Sequence, residues 1–302
     1  MTAADLAMTY RKEVSRPTQV QGDPWEFDAS TADIERLLDS PPESLIAEDF
    51  QGYLGYCTTG GDDDLRYLFP TVLRIWEEQL YERDSWFTQY FHAEVCRTDF
   101  VDRALSPQLK AATYEFMLRA FSQRIGAETS LSVHGSTTSH DWVSFVASFG
   151  VFTTGIASLW SNLWHSESPG HATALLQYLS CLLYTEVNPI FAPWTCDKGG
   201  GAPQLWSYDS VWFGESWKAE NLAYFTSALS AAAIREWLAR TSKRSACPQI
   251  AEVANLFLHR LDECAVEVDQ RIELLLFALR VPSDAVIFSW ESLLDNMTRP
   301  TP

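Results

Sequence analysis

Three successive aspartates, Asp62, Asp63 and Asp64, are the first group in the chain that could do chemistry. Carboxylates so placed can hold Mg²⁺, a hard cation that takes oxygen ligands and completes its shell with waters and a phosphate-bearing substrate. At the start of a helix the same residues have a structural use. They accept free backbone N–H groups and complement the positive end of the helix dipole. Arg66, four residues after Asp62, balances charge there, which favours the capping role.

Nucleophilic catalysis needs a Ser or Cys beside a base. His134-Gly135-Ser136 and Ser139-His140-Asp141 bring the right types together. Adjacent helical residues point in different directions, however, and no GxSxG turn exists. A polar loop ending in a helix cap accounts for them. His92 and Glu94 lack the spacing of an HExxH pair, and His165, His171 and His259 have no carboxylate or cysteine at ligand spacing. Lys198 precedes Gly199-Gly200-Gly201, the reverse of a P-loop. Cys57, Cys96, Cys181, Cys196, Cys247 and Cys264 form no CxxC pair, so neither a zinc site nor a disulfide framework is expected. The sequence thus calls for no catalytic residue, metal or cofactor.

Aromatic residues give the stronger signal. Trp76, Trp142, Trp160, Trp164 and Trp237 sit on apolar helical stripes and read as core. Trp194, Trp206, Trp212 and Trp217 lie in or beside a glycine- and proline-rich stretch, with Tyr208, Asp209 and Glu215 among them. Aromatic anchors with acidic neighbours have the composition of an interface, so these seven residues are the candidate interaction site.

The elements that must position these groups are helices. Residues 1–25 read as a loose lead-in. The rest, 26–302, reads as a single helical domain interrupted by an irregular Trp/Gly/Pro-rich loop at about 188–218. Ser30 or Thr31 caps a helix over Ile34, Leu37 and Leu38. Ser40-Pro41-Pro42 opens another, carrying Leu45, Ile46, Phe50, Tyr53 and Leu54 and closed by Thr58 to Gly61. The helix from Asp62 carries Leu65, Leu68, Phe69, Val72, Leu73 and Trp76, and Pro70 within it must kink or divide it. Ser106-Pro107 starts a helix through Phe121. A helix near 141–163, capped by Ser139 or Asp141, is apolar enough to be buried on all sides. Pro169-Gly170 separates it from a helix over Ala174–Tyr184. Ala219–Arg240 and Pro248–Arg280 complete the set, the last with Ile250, Val253, Phe257, Leu261, Ala265, Val268 and Ile272 on one stripe. Strand alternation is nearly absent. The expected fold is all-α, an irregular array of helical hairpins or a helical-repeat-like bundle without a fixed sequence period.

The run Asp62-Asp63-Asp64-Leu65-Arg66-Tyr67-Leu68-Phe69-Pro70 resembles a group of uncharacterised bacterial proteins in which an acidic pair precedes an Arg/Tyr/Phe-Pro run. Asp49-Phe50, Leu105 to Phe121, Asp141 to Trp164 and Arg235 to Leu238 follow in similar order, covering about half the chain. The chain departs from the group in having Leu65 where Phe is usual and in its glycines at 199–201. The resemblance implies an all-helical fold and a bacterial, intracellular origin, and carries no activity. Terpene synthases, also acidic and helical, carry a DDxxD motif. Here Arg66 takes its last position, and no spaced Asn/Ser/Glu metal motif follows.

Charge narrows the partner. With 22 Lys plus Arg against 40 Asp plus Glu, the chain carries −18. It would repel a nucleic-acid backbone and attract cations from a distance. No leader or membrane-spanning segment is expected, so the chain reads as cytoplasmic. The leading expectation is a non-enzymatic protein-binding protein, specifically an immunity protein that neutralises a basic toxin. A helical scaffold holding a peptide in a groove is the alternative, followed by an enzyme whose site is assembled from distant residues.

Overall fold

The computed structural model describes residues 1–20, 29–56, 62–82, 87, 88, 90, 91, 100–129, 131, 153–184 and 229–278. The fold is all-α, with no strand among these residues. The chain divides into two compact units, Met1–Ser122 and Gln123–Pro302, where the sequence suggests one domain over 26–302. The region 188–218 lies outside the described residues.

The first unit holds α1 (Ala3–Tyr10), α2 (Thr31–Asp39), α3 (Tyr53–Tyr56), α4 (Asp62–Gln79), α5 (Phe100–Ala104) and most of α6 (Pro107–Gly126). Helix α1 corrects the expected loose lead-in. Thr2 and Asp5 form a capping box, which satisfies free N–H groups at the helix start. Leu6 and Tyr10 are fully buried. Tyr10 and Thr113 share a buried 2.7 Å hydroxyl hydrogen bond, and Ser106 donates to Glu13. Helix α2 is capped by Ser30 with Asp33 completing the box, as expected.

The helix expected after Ser40 does not form as one piece. Two 3-10 turns, Pro42–Ser44 and Ala47–Phe50, precede α3. Side chains take the backbone groups that a continuous helix would pair internally. Asp49 accepts from the Ile46 N–H at 3.0 Å, and Arg74 donates to the carbonyls of Pro42 and Leu45. Leu45, Phe50, Tyr53 and Leu54 are still buried, but Ile46 is exposed.

Helix α4 is the centre of this unit. It runs unbroken through Pro70, so of the expected kink or division, the division does not occur. Proline inside a helix costs ~3 kcal/mol or more. Burial of Leu68, Phe69, Val72, Leu73 and Trp76 offsets that at ~1.5–3 kcal/mol each. Phe69 lies 4.9 Å from Phe100 between ring centroids, and Trp76 meets Phe121 edge-on at 4.9 Å. On α6, Ser106 caps the Leu109 N–H. Met117 turns inward where Leu118 is expected, and Leu118 is half-buried.

The second unit holds the last turn of α6 with α7 (Thr153–His165), α8 (Pro169–Leu183), α9 (Ala231–Arg244) and α10 (Pro248–Ala278). The helix enclosed on nearly every side is α8, not α7. Residues 173–180 are all buried, including Thr173, Gln177 and Ser180. Helix α7 buries Trp160, Leu163 and Trp164, but exposes Ser158. The caps proposed for it, Ser139 and Asp141, lie outside the described residues. Pro169 and Gly170 form the first turn of α8 rather than a break before it, since proline's missing N–H is unneeded there. Trp164 meets Trp160 at 5.6 Å and Trp237 at 6.1 Å, both edge-on. Thus Trp76, Trp160, Trp164 and Trp237 are core, as expected.

Ser230 caps α9, and Asp269 of α10 accepts from the Ala231 N–H at 2.8 Å. Helix α10 departs from helical dihedrals at Cys264. Its buried stripe is Ile250, Ala254, Phe257, Leu261, Cys264, Val268 and Ile272, with Val253 and Ala265 at the margins.

Gly170 sits against the end of α6. A β-carbon there would lie 2.0 Å from the Gly126 carbonyl oxygen, and neither backbone can easily yield. Gly170→Ala should therefore destabilise the second unit by about 2–3 kcal/mol, the cost of overpacking. Urea unfolding checks this, and a midpoint within error of the parent would contradict the close approach.

Candidate functional site: an acidic face on α10

The carboxylate run Asp62–Asp64 opens α4, but its members diverge. Asp62 receives both terminal nitrogens of Arg103, one at 2.8 Å. Asp63 pairs with Arg66 at 3.4 Å, so Arg66 serves Asp63 rather than Asp62. Asp64 turns inward and accepts from the Tyr53 hydroxyl at 3.3 Å. Three carboxylates aimed at three partners do not converge on a cation. No group of His, Cys, Asp and Glu able to hold a metal occurs among the described residues.

The remaining sequence candidates fall as follows. Trp194, Trp206, Tyr208, Asp209, Trp212, Glu215 and Trp217 lie outside the described residues, as do His92, Glu94, His134, Ser136, Ser139, His140 and Asp141. His165 and His259 are exposed and His171 is partly buried. Cys247 and Cys264 are free thiols.

The concentrated charge that the structure brings to one surface is on α10. Its two cations turn inward. Arg260 donates to the Leu183 carbonyl at 3.3 Å, and Arg271 to the Leu182 carbonyl at 2.6 Å. Both carbonyls belong to the last turn of α8, where helix C=O groups lack intrahelical partners and the dipole is negative. Arg260 also reaches Glu263 at 3.1 Å, which raises the guanidinium pKa. Burial lowers that of Arg271.

The acids of α10 that are not tied to α9 face solvent. Asp262 is engaged by Arg235, and Asp269 by the start of α9. Glu252, Glu263, Glu267 and Glu273 lie outward on the helix, opposite the buried stripe. Two apolar side chains stand among them, Leu256 at 49% and Val266 at 69% exposure. The four glutamates span 21 residues, a ridge of ~32 Å at 1.5 Å per residue. The ridge can attract a cationic surface electrostatically and offer two apolar contacts.

Sequence reasoning missed this face by attending to the buried stripe alone. The signal lay in the complementary positions, where Glu252, Glu263, Glu267 and Glu273 recur at helical spacing without an intervening lysine. No family model, curated protein or solved structure matches the chain.

Burial pushes the Asp64 carboxyl above the ordinary aspartate value. The N–H groups of Asp64 and Leu65 and the Tyr53 hydroxyl act against that shift. A folded pKa above the unfolded one contributes stability fully present below the unfolded value and lost as pH rises through the folded value. Asp64→Asn retains an acceptor for Tyr53 and removes the buried charge. The variant should gain on the order of 1 kcal/mol at neutral pH, the scale of a mispaired buried polar group. The gain should vanish below pH ~4, where the parent carboxyl is protonated. Equal stability at neutral pH would show that the N–H groups fully compensate the buried charge.

Proposed function

We propose that this protein is a non-enzymatic binding protein that captures a basic protein through the acidic ridge of α10. The observation that carries the reading is the row of exposed glutamates on that helix, with Arg271 turned to α8 and Arg260 shared between α8 and Glu263. The net charge of −18 supports it, because an acidic surface steers a cationic partner and raises the association rate. In the first unit Arg16, Arg36, Lys110 and Arg119 pair with Asp39, Asp49, Asp102 and Glu77.

Within this class we infer a bacterial immunity protein that neutralises a basic toxin in the cytoplasm. An inhibitor of that kind must capture its toxin quickly, which electrostatic steering favours. The resemblance of the Asp62–Pro70 run to uncharacterised bacterial proteins agrees with such an origin. No described helix is long and apolar enough to cross a membrane. Trp194, Trp206, Trp212 and Trp217, with Tyr208, Asp209 and Glu215, are proposed as further contacts.

Affinity capture from the native lysate should recover one basic protein in equal amount. The association rate with that partner should fall at least tenfold between low and high salt as charges are screened. The triple variant E263K/E267K/E273K should slow association by a further order of magnitude while leaving the thermal midpoint within a few degrees. A salt-independent rate would remove the electrostatic reading. An unaffected triple variant would move the interface off α10.

A further inference from the structure

We propose that the meeting of α6 and α8 is an acid-sensitive clasp, closed while the His171 imidazole is neutral and loosened when its Nδ1 takes a proton. The backbones of Gly126 and Gly170 are pressed together there. A β-carbon on Gly126 would lie 3.1 Å from Cε1 of His171 and 3.6 Å from Nδ1. The ring therefore packs directly on the last residue of α6.

Nδ1 is buried and has no hydrogen-bond partner among the described residues. A neutral ring tolerates this by carrying its proton on Nε2, which leaves Nδ1 as an unused lone pair. Ionisation places an N–H at Nδ1, where no acceptor receives it, and a buried unsatisfied donor costs free energy. His171 is also the third residue of α8, so its positive charge would oppose the positive end of that helix dipole.

Among the described residues the surroundings supply no compensation. Helix α8 contains no Asp or Glu. From α6, Arg124 is already bonded to Glu128 at 3.3 Å, with both side chains largely enclosed. His165, at the end of α7, and Glu167, in the following turn, are exposed, and neither carries an interaction with the ring. Burial alone holds the His171 pKa below the ordinary histidine value.

The sign follows from linkage. The folded pKa is depressed, so the neutral ring stabilises the fold above the unfolded value of ~6.5. Below that value the unfolded chain binds a proton that the folded chain refuses. Between pH 7.5 and 5.5 the folded-to-unfolded ratio attributable to this residue should fall, by at most about tenfold. The clasp is independent of the α10 ridge.

An NMR titration of the histidine rings, with the His171 signals assigned by their absence in H171Q, tests the proposal directly. His171 should titrate below the ordinary histidine range. Amide exchange in the first turn of α8 should accelerate in acid in the parent. Chemical unfolding of H171Q should show a smaller loss between pH 7.5 and 5.5 than the parent. A His171 ring that titrates near 6.5, or a parent whose acid loss matches that of H171Q, would overturn the clasp. Because the ring titration is read on the parent protein, it does not depend on the variant's stability.

Discussion

A helix ends with carbonyl groups that have no partner in its own ladder, and a fold built of helices alone must find donors for them. In the second unit of this chain, arginines supply those donors. Arg260 and Arg271 reach the last two carbonyls of α8, and Arg240 reaches the Trp164 carbonyl near the end of α7. Each contact also sets a cation against the negative end of a helix dipole. In the first unit Arg74 donates to the carbonyls of Pro42 and Leu45, which bracket a 3-10 turn. A guanidinium suits the task because it presents several donors in a rigid plane and stays charged.

That use of arginine shapes the outer surface. The chain has far fewer cations than anions, and those holding carbonyls face inward. On α10 the inner side therefore collects guanidinium groups with the buried stripe, while glutamates remain outside. The same arrangement that closes α8 leaves the ridge acidic. Packing and surface charge are two consequences of one distribution of side chains along a single helix.

Much of this was legible in the sequence. Capping residues did well: Ser30, Asp62, Ser106 and Pro248 each mark a helix boundary that the structure contains. Apolar spacing found the stripes of α4 and α10 and the tryptophan cores. The misses share a cause. After Ser40, apolar spacing suggested one helix, but Asp49 and Arg74 compete for its backbone groups from outside the segment. The lead-in reads as loose because it is polar and holds Pro17, Gly22 and Pro24, yet Thr2 and Asp5 begin a helix whose Tyr10 finds Thr113, 103 residues away. Absence of charge from Trp142 to Ser166 suggests a buried helix there, but the same absence holds for Gly170 to Tyr184, and it is α8 that is enclosed.

The candidate sites obey the same distinction between local and long-range information. The Asp62–Asp64 run looks like a ligand set when read linearly, because sequence records adjacency but not direction. Successive helical residues are rotated by about 100°, so three adjacent carboxylates at a helix start naturally serve three partners. Residues that act together on a helix recur every three or four positions. Glu263 and Glu267 keep that interval, and Val266 lies beside them. A face assembled at this spacing can meet another surface along its length, whereas a run of neighbours is better suited to finishing a helix. On this physical ground α10 outranks the aspartate run as the place where a partner would meet the protein.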